Sequence, residues 1–347
     1  MTKFNFAQAL LKWHKQNGRH DLPWQQPRTP YRVWVSEIML QQTQVATVIN
    51  YFENFLSVFP TLKDLAQASN ERVMHLWAGL GYYSRARNLH KSAQICLEKY
   101  DAELPLQFEQ LIELPGIGRS TAGAILSQAH GKAFAILDGN VKRILARYHA
   151  INGEINSSSV TKQLWQHAES HLPKNNLANY TQAIMDLGAS ICSRSKPRCV
   201  ECPIKQNCQA FQNDYVEQYP NKKITKLIPK RELFALIIIN TKNEILLELR
   251  PNKGIWGGLY SLPEAEDKTQ AHEIAGRFIK NTQPNNVLSA IKHQFSHFHL
   301  SIHPLMWQNS TPKQQIRDND QYQWVNRNQL KQFGLPAPSK KLLQGLP

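Results

Sequence analysis

No stretch of this 347-residue chain stays apolar for the roughly eighteen residues that a bilayer span needs. The amino terminus, MTKFNFAQALLKWHK, lacks the unbroken apolar core of a secretory signal, so a cytosolic protein without a membrane partner is expected. Acidic residues are scarce: 26 Asp and Glu stand against 41 Lys and Arg, a net charge of +15 with pI ≈ 9.6. Such an excess favours a polyanionic partner. It is spread along the chain, with 25 basic and 17 acidic groups in residues 1–225 and 16 and 9 in residues 226–347, so both parts can face nucleic acid. Cysteine is scarce too. Of the five, four crowd between positions 192 and 208, which fits a reducing compartment and a metal site better than a disulfide framework.

The length suffices for two domains with separate cores. Apolar positions at Phe4, Phe6, Ala7, Leu10 and Leu11 predict a helix that stops at Asn17-Gly18. After a proline-rich loop around Trp24, the pattern predicts a long helix from about Trp34 to Phe59, running straight through Gln41-Gln42-Thr43-Gln44. Ser36 would cap it and Glu37 would stand in its first turn. There the helix dipole favours the anion while an apolar pocket favours the neutral acid, so Glu37 reads either as a dipole partner or as an acid. Two or three more helices are expected over residues 61–113. Between them WAGLGYYSRARN (77–88) sets two glycines beside two tyrosines and two arginines, a turn suited to intercalation at a base step and to phosphate contacts. Cys96 sits at an apolar helix position and reads as a small buried hydrophobe.

The densest information lies between Leu114 and Arg143. Pro115 cannot extend a helix ending near Leu114, and Gly116 and Gly118 present no Cβ to a close partner. With a helix opening at Arg119 to Thr121, backbone donors, a positive helix end and a guanidinium suit a phosphate; the alternative is an ordinary helix joint. Some twenty residues on, Asp138 is either an N-cap or a catalytic group. Gln182, within a helical stretch, can bridge two polar atoms of a base edge or lie idle on the surface. Cys192, Cys199, Cys202 and Cys208 suit zinc or iron, although the two CxxC pairs of a zinc ribbon are not there. Arg194, Lys196 and Arg198 fall between the first two. Helical periodicity is lost over 214–230, a connector, and beyond it short strands near 233–239, 244–249, 289–293 and 300–306 with a helix near 271–280 indicate an α+β domain.

Together LPGIGRSTAGAI and LDGNVKR resemble the helix-hairpin-helix superfamily of base-excision DNA glycosylases, and SEIMLQQTQV narrows the likeness to the MutY family of adenine DNA glycosylases. The resemblance implies an all-helical helix-hairpin-helix domain over 1–213, a linker over 214–230 and, because RPNKGIWGGLYSLPE is similar to it, a Nudix-like α+β domain over 231–347. It implies catalytic roles for Glu37 and Asp138, duplex filling and wedging by Leu40, Gln41 and Gln42, and intercalation by Tyr82. Gly116, Gly118, Arg119, Ser120 and Asn140 would contact DNA or base and Gln182 the adenine. The four cysteines would hold a 4Fe-4S cluster that fixes Arg194, Lys196 and Arg198 against phosphate. Phe295, Ser296 and His297 match the segment that inspects the oxidised guanine. Relatives that cut the strand carry a lysine where this chain has Ser120, and a hydroxyl forms no Schiff base, so a monofunctional glycosylase is implied. The REXXEE core of metal-binding Nudix enzymes is missing, which argues against pyrophosphatase activity. The implied partner of this monomer is double-stranded DNA with adenine opposite 8-oxoguanine or guanine. A sister enzyme excising another mispaired base and a non-catalytic lesion binder are the competing readings.

Overall fold

A computed structural model describes residues 4–221, 227–295, 297–313 and 321–346. The chain forms two compact units, Met1–Gln67 with Asn88–Thr225, and Ala68–Arg87 with Lys226–Pro347. The helices are α1 (Phe6–Asn17), α2 (Pro30–Leu40), α3 (Val45–Val58), α4 (Leu62–Gln67), α5 (Asn70–Trp77), α6 (Ser84–Lys99), α7 (Phe108–Glu113), α8 (Arg119–His130), α9 (Gly139–Tyr148), α10 (Ser158–Ser170), α11 (Leu177–Ser190), α12 (Gln209–Gln212), α13 (Lys268–Phe278) and α14 (Ala337–Gln344). The first twelve precede any strand, in keeping with the helical pattern of the sequence. Four helices, not two or three, begin and end within residues 61–113.

The helix expected from Trp34 to Phe59 is two helices. Thr29 caps α2 by accepting from the Arg32 amide, and Pro30 occupies its first turn, so the helix begins earlier and ends at Leu40. Gln42 then adopts φ 59, a left-handed conformation, before α3 starts. No glycine or proline marks this break. Left-handed backbone at a bulky residue is costly and gathers at functional sites.

In the first unit a core built from α1, α9, α10 and α11 gathers Leu10, Val141, Ile144, Leu145, Leu164, Ala183 and Leu187, while α8 packs between α2 and α11. In the second unit, among the described residues, β1 (Lys230–Asn240), β2 (Glu244–Leu249), β3 (Tyr260–Ser261), β4 (Glu264–Ala265), β5 (Asn286–Val287), β6 (Ile291–Gln294), β7 (His299–Ser310) and β8 (Tyr322–Asn326) form one mixed sheet. β1 and β7 pair in parallel from Lys230↔His299; β6 and β7 form an antiparallel hairpin with Gln294 opposite His299. The helix α13 covers Leu236, Ile238, Leu305 and Trp307. The segment Ala68–Arg87 groups with this sheet: Arg87 donates to the Gly257 carbonyl at 2.6 Å, and Gly334 lies against His75 so closely that a Cβ there would come within 3.1 Å of its Cα. Among the described residues no helix is long and apolar enough to cross a membrane.

Candidate active site

Five helices, α2, α3, α8, α9 and α11, line a cavity of about 340 Å³ in the first unit together with the segments around Arg19–Trp24, Gln41–Thr43 and Asp138. Glu37, Gln41, Ser120, Asp138, Asn140 and Gln182 all line it, joined by Leu40, Arg19 and Met185. Residues more than 140 positions apart in sequence thus face one space.

Glu37 belongs to the last turn of α2, not the first. Ser36 is no cap: it is buried and donates to the Val33 carbonyl at 2.8 Å. The helix dipole therefore opposes a charge on Glu37 instead of favouring it. Val35, Ile38 and Met39 around it are buried. Its carboxyl is pushed up to about 7, mainly by loss of water and further by the Asp138 charge, against the pull of Gln128, which donates to Oε1 at 3.1 Å. Such an acid holds its proton near neutrality and can give it up there.

Asp138 is the N-cap that one reading of the sequence offered, its Oδ1 accepting from the Val141 amide at 2.8 Å at the head of α9, and it also stands in the cavity wall. Burial pushes its carboxyl up, but the Val141 and Asn140 amides, the Arg143 charge and the Asn140 side chain all favour the anion. Ser120 accepts from the Leu137 amide at 3.0 Å and so fixes the residue before Asp138. Close helix packing sets the rest. A Cβ at Gly123 would lie 2.4 Å from the Ala135 carbonyl oxygen, and one at Gly188 would lie 2.5 Å from Asn140 Cβ. Gly188→Ala is expected to push α9 off α11 and shift Asn140 and Asp138, reducing base release about 100-fold with duplex affinity retained. Single-turnover release measured beside a binding titration checks this.

Beneath the cavity lies a network that sequence reasoning missed. Asp186, 2 % exposed, accepts from the Arg19 amide at 2.8 Å, from Arg19 Nε at 2.8 Å and Nη2 at 2.5 Å, and from Gln182 Nε2 at 2.8 Å; His14 Nε2 stands 3.4 Å away. Desolvation alone would raise this carboxyl, yet His14 and Arg19 hold it below the usual range. Gln182 is buried, so it is no surface amide. The signal available was the i,i+4 spacing of Gln182 and Asp186 on α11; nothing local pointed to Arg19.

The other named residues lie elsewhere. In the hairpin between α7 and α8, Gly116 takes φ 82 and Gly118 an extended φ of −93. A Cβ at Gly116 would come within 2.9 Å of Asn88 Cβ, and Ser92 holds the Pro115 carbonyl at 2.8 Å. The Arg119 guanidinium lies 3.9 Å over the Trp165 ring and pairs with Glu169. Lys142 lies outside the cavity wall and donates to Asn156 Oδ1 at 3.0 Å.

Cys192, Cys199, Cys202 and Cys208 line one small space of about 20 Å³ with Ile144, Ile191 and Phe211. Among the described residues no three His, Cys, Asp or Glu side chains converge as a single ion would require. Arg147 donates to Cys192 Sγ at 3.3 Å and to the Ser193 carbonyl at 2.8 Å. Arg194, Lys196 and Arg198 are exposed on the same loop.

In the second unit, Tyr82, Phe295 and His297 share a cavity of about 380 Å³ with Trp256 and His293. Tyr82 is 45 % exposed at φ 49, with Arg85 over its ring at 5.2 Å and donating to the Gly81 carbonyl at 3.1 Å. Phe295 stacks on Phe298 at 4.5 Å. Ser296 lies outside the described residues.

A helical unit with two desolvated carboxyls on one cavity and a glycine-bearing hairpin defines the class. Residues 35–170 match the HhH-GPD superfamily of base excision DNA repair proteins, and residues 234–345 match the NUDIX domain. A thermostable thymine-DNA glycosylase of known structure is similar at 27% identity and a TM-score of 0.55, over 60% of this chain and 95% of its own. Adenine DNA glycosylase of Buchnera aphidicola subsp. Acyrthosiphon pisum (strain APS) is 43% identical over 99% of this chain and 98% of its own length; that of Homo sapiens is 33% identical over 98% and 73%. The chain belongs to the adenine DNA glycosylase family, enzymes that hydrolyse N-glycosyl bonds in DNA during base excision repair.

Proposed function

We propose that this chain hydrolyses the N-glycosidic bond of adenine mispaired with 8-oxoguanine or guanine in double-stranded DNA and leaves an abasic site. The observation that carries this reading is a pair of carboxyls on one cavity, one of them, Glu37, pushed up to about 7, with the Gln182 amide in the same wall. The adenine leaves its stack and enters the cavity. Of the two carboxyls Glu37 keeps the proton, because Asp138 has the helix end and the Val141 amide aimed at its anion. Glu37 protonates a ring nitrogen of the purine, which makes the base a neutral leaving group. Asp138 stabilises the positive charge that develops on the sugar. The ionised Glu37 then takes a proton from the water that attacks the sugar carbon, so that one carboxyl works as acid and then as base.

The same reading assigns the oxidised guanine to the Tyr82, Phe295, Ser296 and His297 region, with Gln41 and Gln42 at the vacated stack. The left-handed turn at Gln42 and the exposed, strained Tyr82 support it. The four cysteines fit a 4Fe-4S cluster: they ring an apolar space instead of converging on one ion, and Arg147 points a charged donor at Cys192. Bound there, the cluster would tie the loop that carries Arg194, Lys196 and Arg198. Purified protein should yield iron and acid-labile sulfide in equal amounts, whereas a zinc site would yield zinc alone.

Single-turnover excision from duplexes with adenine opposite 8-oxoguanine, guanine, cytosine or thymine tests the reaction. Release fastest opposite 8-oxoguanine is expected, with strand breakage only after alkali. Ser120 offers no amine, and Lys142 is held by Asn156 outside the cavity. Breakage without alkali would reject the monofunctional assignment.

A further inference from the structure

We propose that Asp186 is a positioning residue that locks the Gln182 amide in one of its two orientations and thereby makes the cavity select 6-aminopurines over 6-oxopurines. The inference rests on the adenine reading above and names what enforces it. A glutamine amide has a donor end and an acceptor end of nearly equal shape, so a flip would invert what it offers a base. By itself it cannot distinguish an exocyclic amine from a carbonyl.

Asp186 removes that ambiguity. It is 2 % exposed and accepts three hydrogen bonds from Arg19, which keep it ionised and therefore without a donor. Only Nε2 of Gln182 can face it, and it does so at 2.8 Å. The other end, Oε1, is then buried with no hydrogen-bond partner among the described residues, in a side chain that forms part of the cavity wall. An unpaired buried acceptor is unfavourable until a donor arrives. The 6-amino group of adenine supplies one; the 6-oxo group of guanine or hypoxanthine brings a second acceptor against it. Sites built this way reject the mismatched analogue strongly because a buried polar group is left unpaired. Adenine specificity therefore originates one residue behind the wall, in an aspartate that does not line the cavity.

The test is single-turnover release from duplexes carrying adenine, hypoxanthine or unsubstituted purine at the excised position, for wild type, Asp186→Asn and Gln182→Met, with thermal melting and duplex affinity measured alongside. In Asp186→Asn the amide is free to flip. The adenine-to-hypoxanthine rate ratio is expected to fall about tenfold or more, while the rate for unsubstituted purine, which has nothing at position 6, changes little. Gln182→Met keeps the Arg19–Asp186 pairing but removes the acceptor, and the same ratio should fall. If Asp186→Asn slows all three bases alike, or leaves the ratio unchanged, Asp186 is structural and the inference is wrong. Should Asp186→Asn fail to fold, an unchanged ratio in Gln182→Met overturns it equally. Wild-type protein that releases no adenine would instead refute the underlying activity and not the orientation argument.

Discussion

Glu37→Gln is expected to lower single-turnover adenine release by about 10² to 10⁴-fold, the usual contribution of a positioned acid, while duplex binding stays unchanged. The amide keeps the shape and the Gln128 contact but has no proton to give and no base to regenerate. Wild-type rates in the variant would remove Glu37 from the reaction. The pH profile offers a second check. Because the carboxyl is pushed up to about 7, its acid form is lost as pH rises through that value, and release by the wild type should decline above it. At lower pH protonation of Asp138 should remove the anion that the sugar cation needs, closing a bell-shaped curve. Stability must run in the same direction as the acid form. A carboxyl whose folded value lies above its unfolded one adds stability below the unfolded value, near 4.5, and that contribution is lost as pH rises to about 7. Above pH 7 the buried anion then costs on the order of 3 kcal/mol. Glu37→Gln removes this cost, so its melting temperature should exceed that of wild type at pH 8 by several degrees and the difference should vanish near pH 5. A carboxyl held in a place that disfavours its charge is thereby visible as a stability penalty.

What was legible in the sequence was local chemistry. The hairpin glycines, the acid after them and the spacing of the cysteines each rest on what a few neighbouring residues can do, and the helical first part followed from periodicity. The break between α2 and α3 was not legible, because QQTQ contains no glycine or proline and the apolar stripe stays in phase across it. Together with the earlier start at Pro30, that miss inverted the electrostatics of Glu37, which moved from the favourable to the unfavourable end of its helix. Arg19 and His14 gave no sign of their role since their partner, Asp186, stands on the far side of the sequence. For the same reason nothing in Ala68–Arg87 announced that this segment groups with the sheet: contacts such as Arg87 to Gly257 are set by tertiary packing, to which helical periodicity is blind. The residues proposed to do chemistry were visible in the sequence as candidates; Arg19 and Asp186, packed behind them, were not.

Arg143 shows how much depends on the second kind, and Arg143→Met is expected to lower adenine release about 10 to 100-fold, as loss of an outer-shell support commonly does. Its Nη2 donates to Asn140 Oδ1 and to the Gly188 carbonyl, both at 2.8 Å, and its Nε donates to the Cys192 carbonyl at 2.7 Å. Asn140 in turn donates to Asp138 Oδ2 at 3.4 Å. One guanidinium thus ties the carboxylate at the head of α9 to α11 and to the cysteine loop. Methionine preserves the apolar stem but leaves these three acceptors, and the Gly139 carbonyl 3.3 Å from Nη1, without their charged donor, for a stability loss of about 1.5 to 3 kcal/mol. Lysine should restore little, because a single ammonium cannot reach all of these carbonyl oxygens set around a planar fork. The decisive comparison is between base release and the iron content expected of the proposed cluster, in the same preparation. If Arg143 acts by aiming Asp138, release falls while iron per chain stays at the wild-type level; if it acts by holding the loop, both fall together. Wild-type release with wild-type stability would mean that the Val141 amide and the helix end suffice to hold Asp138, and that the path from the cysteine loop to the reacting centre carries no energy.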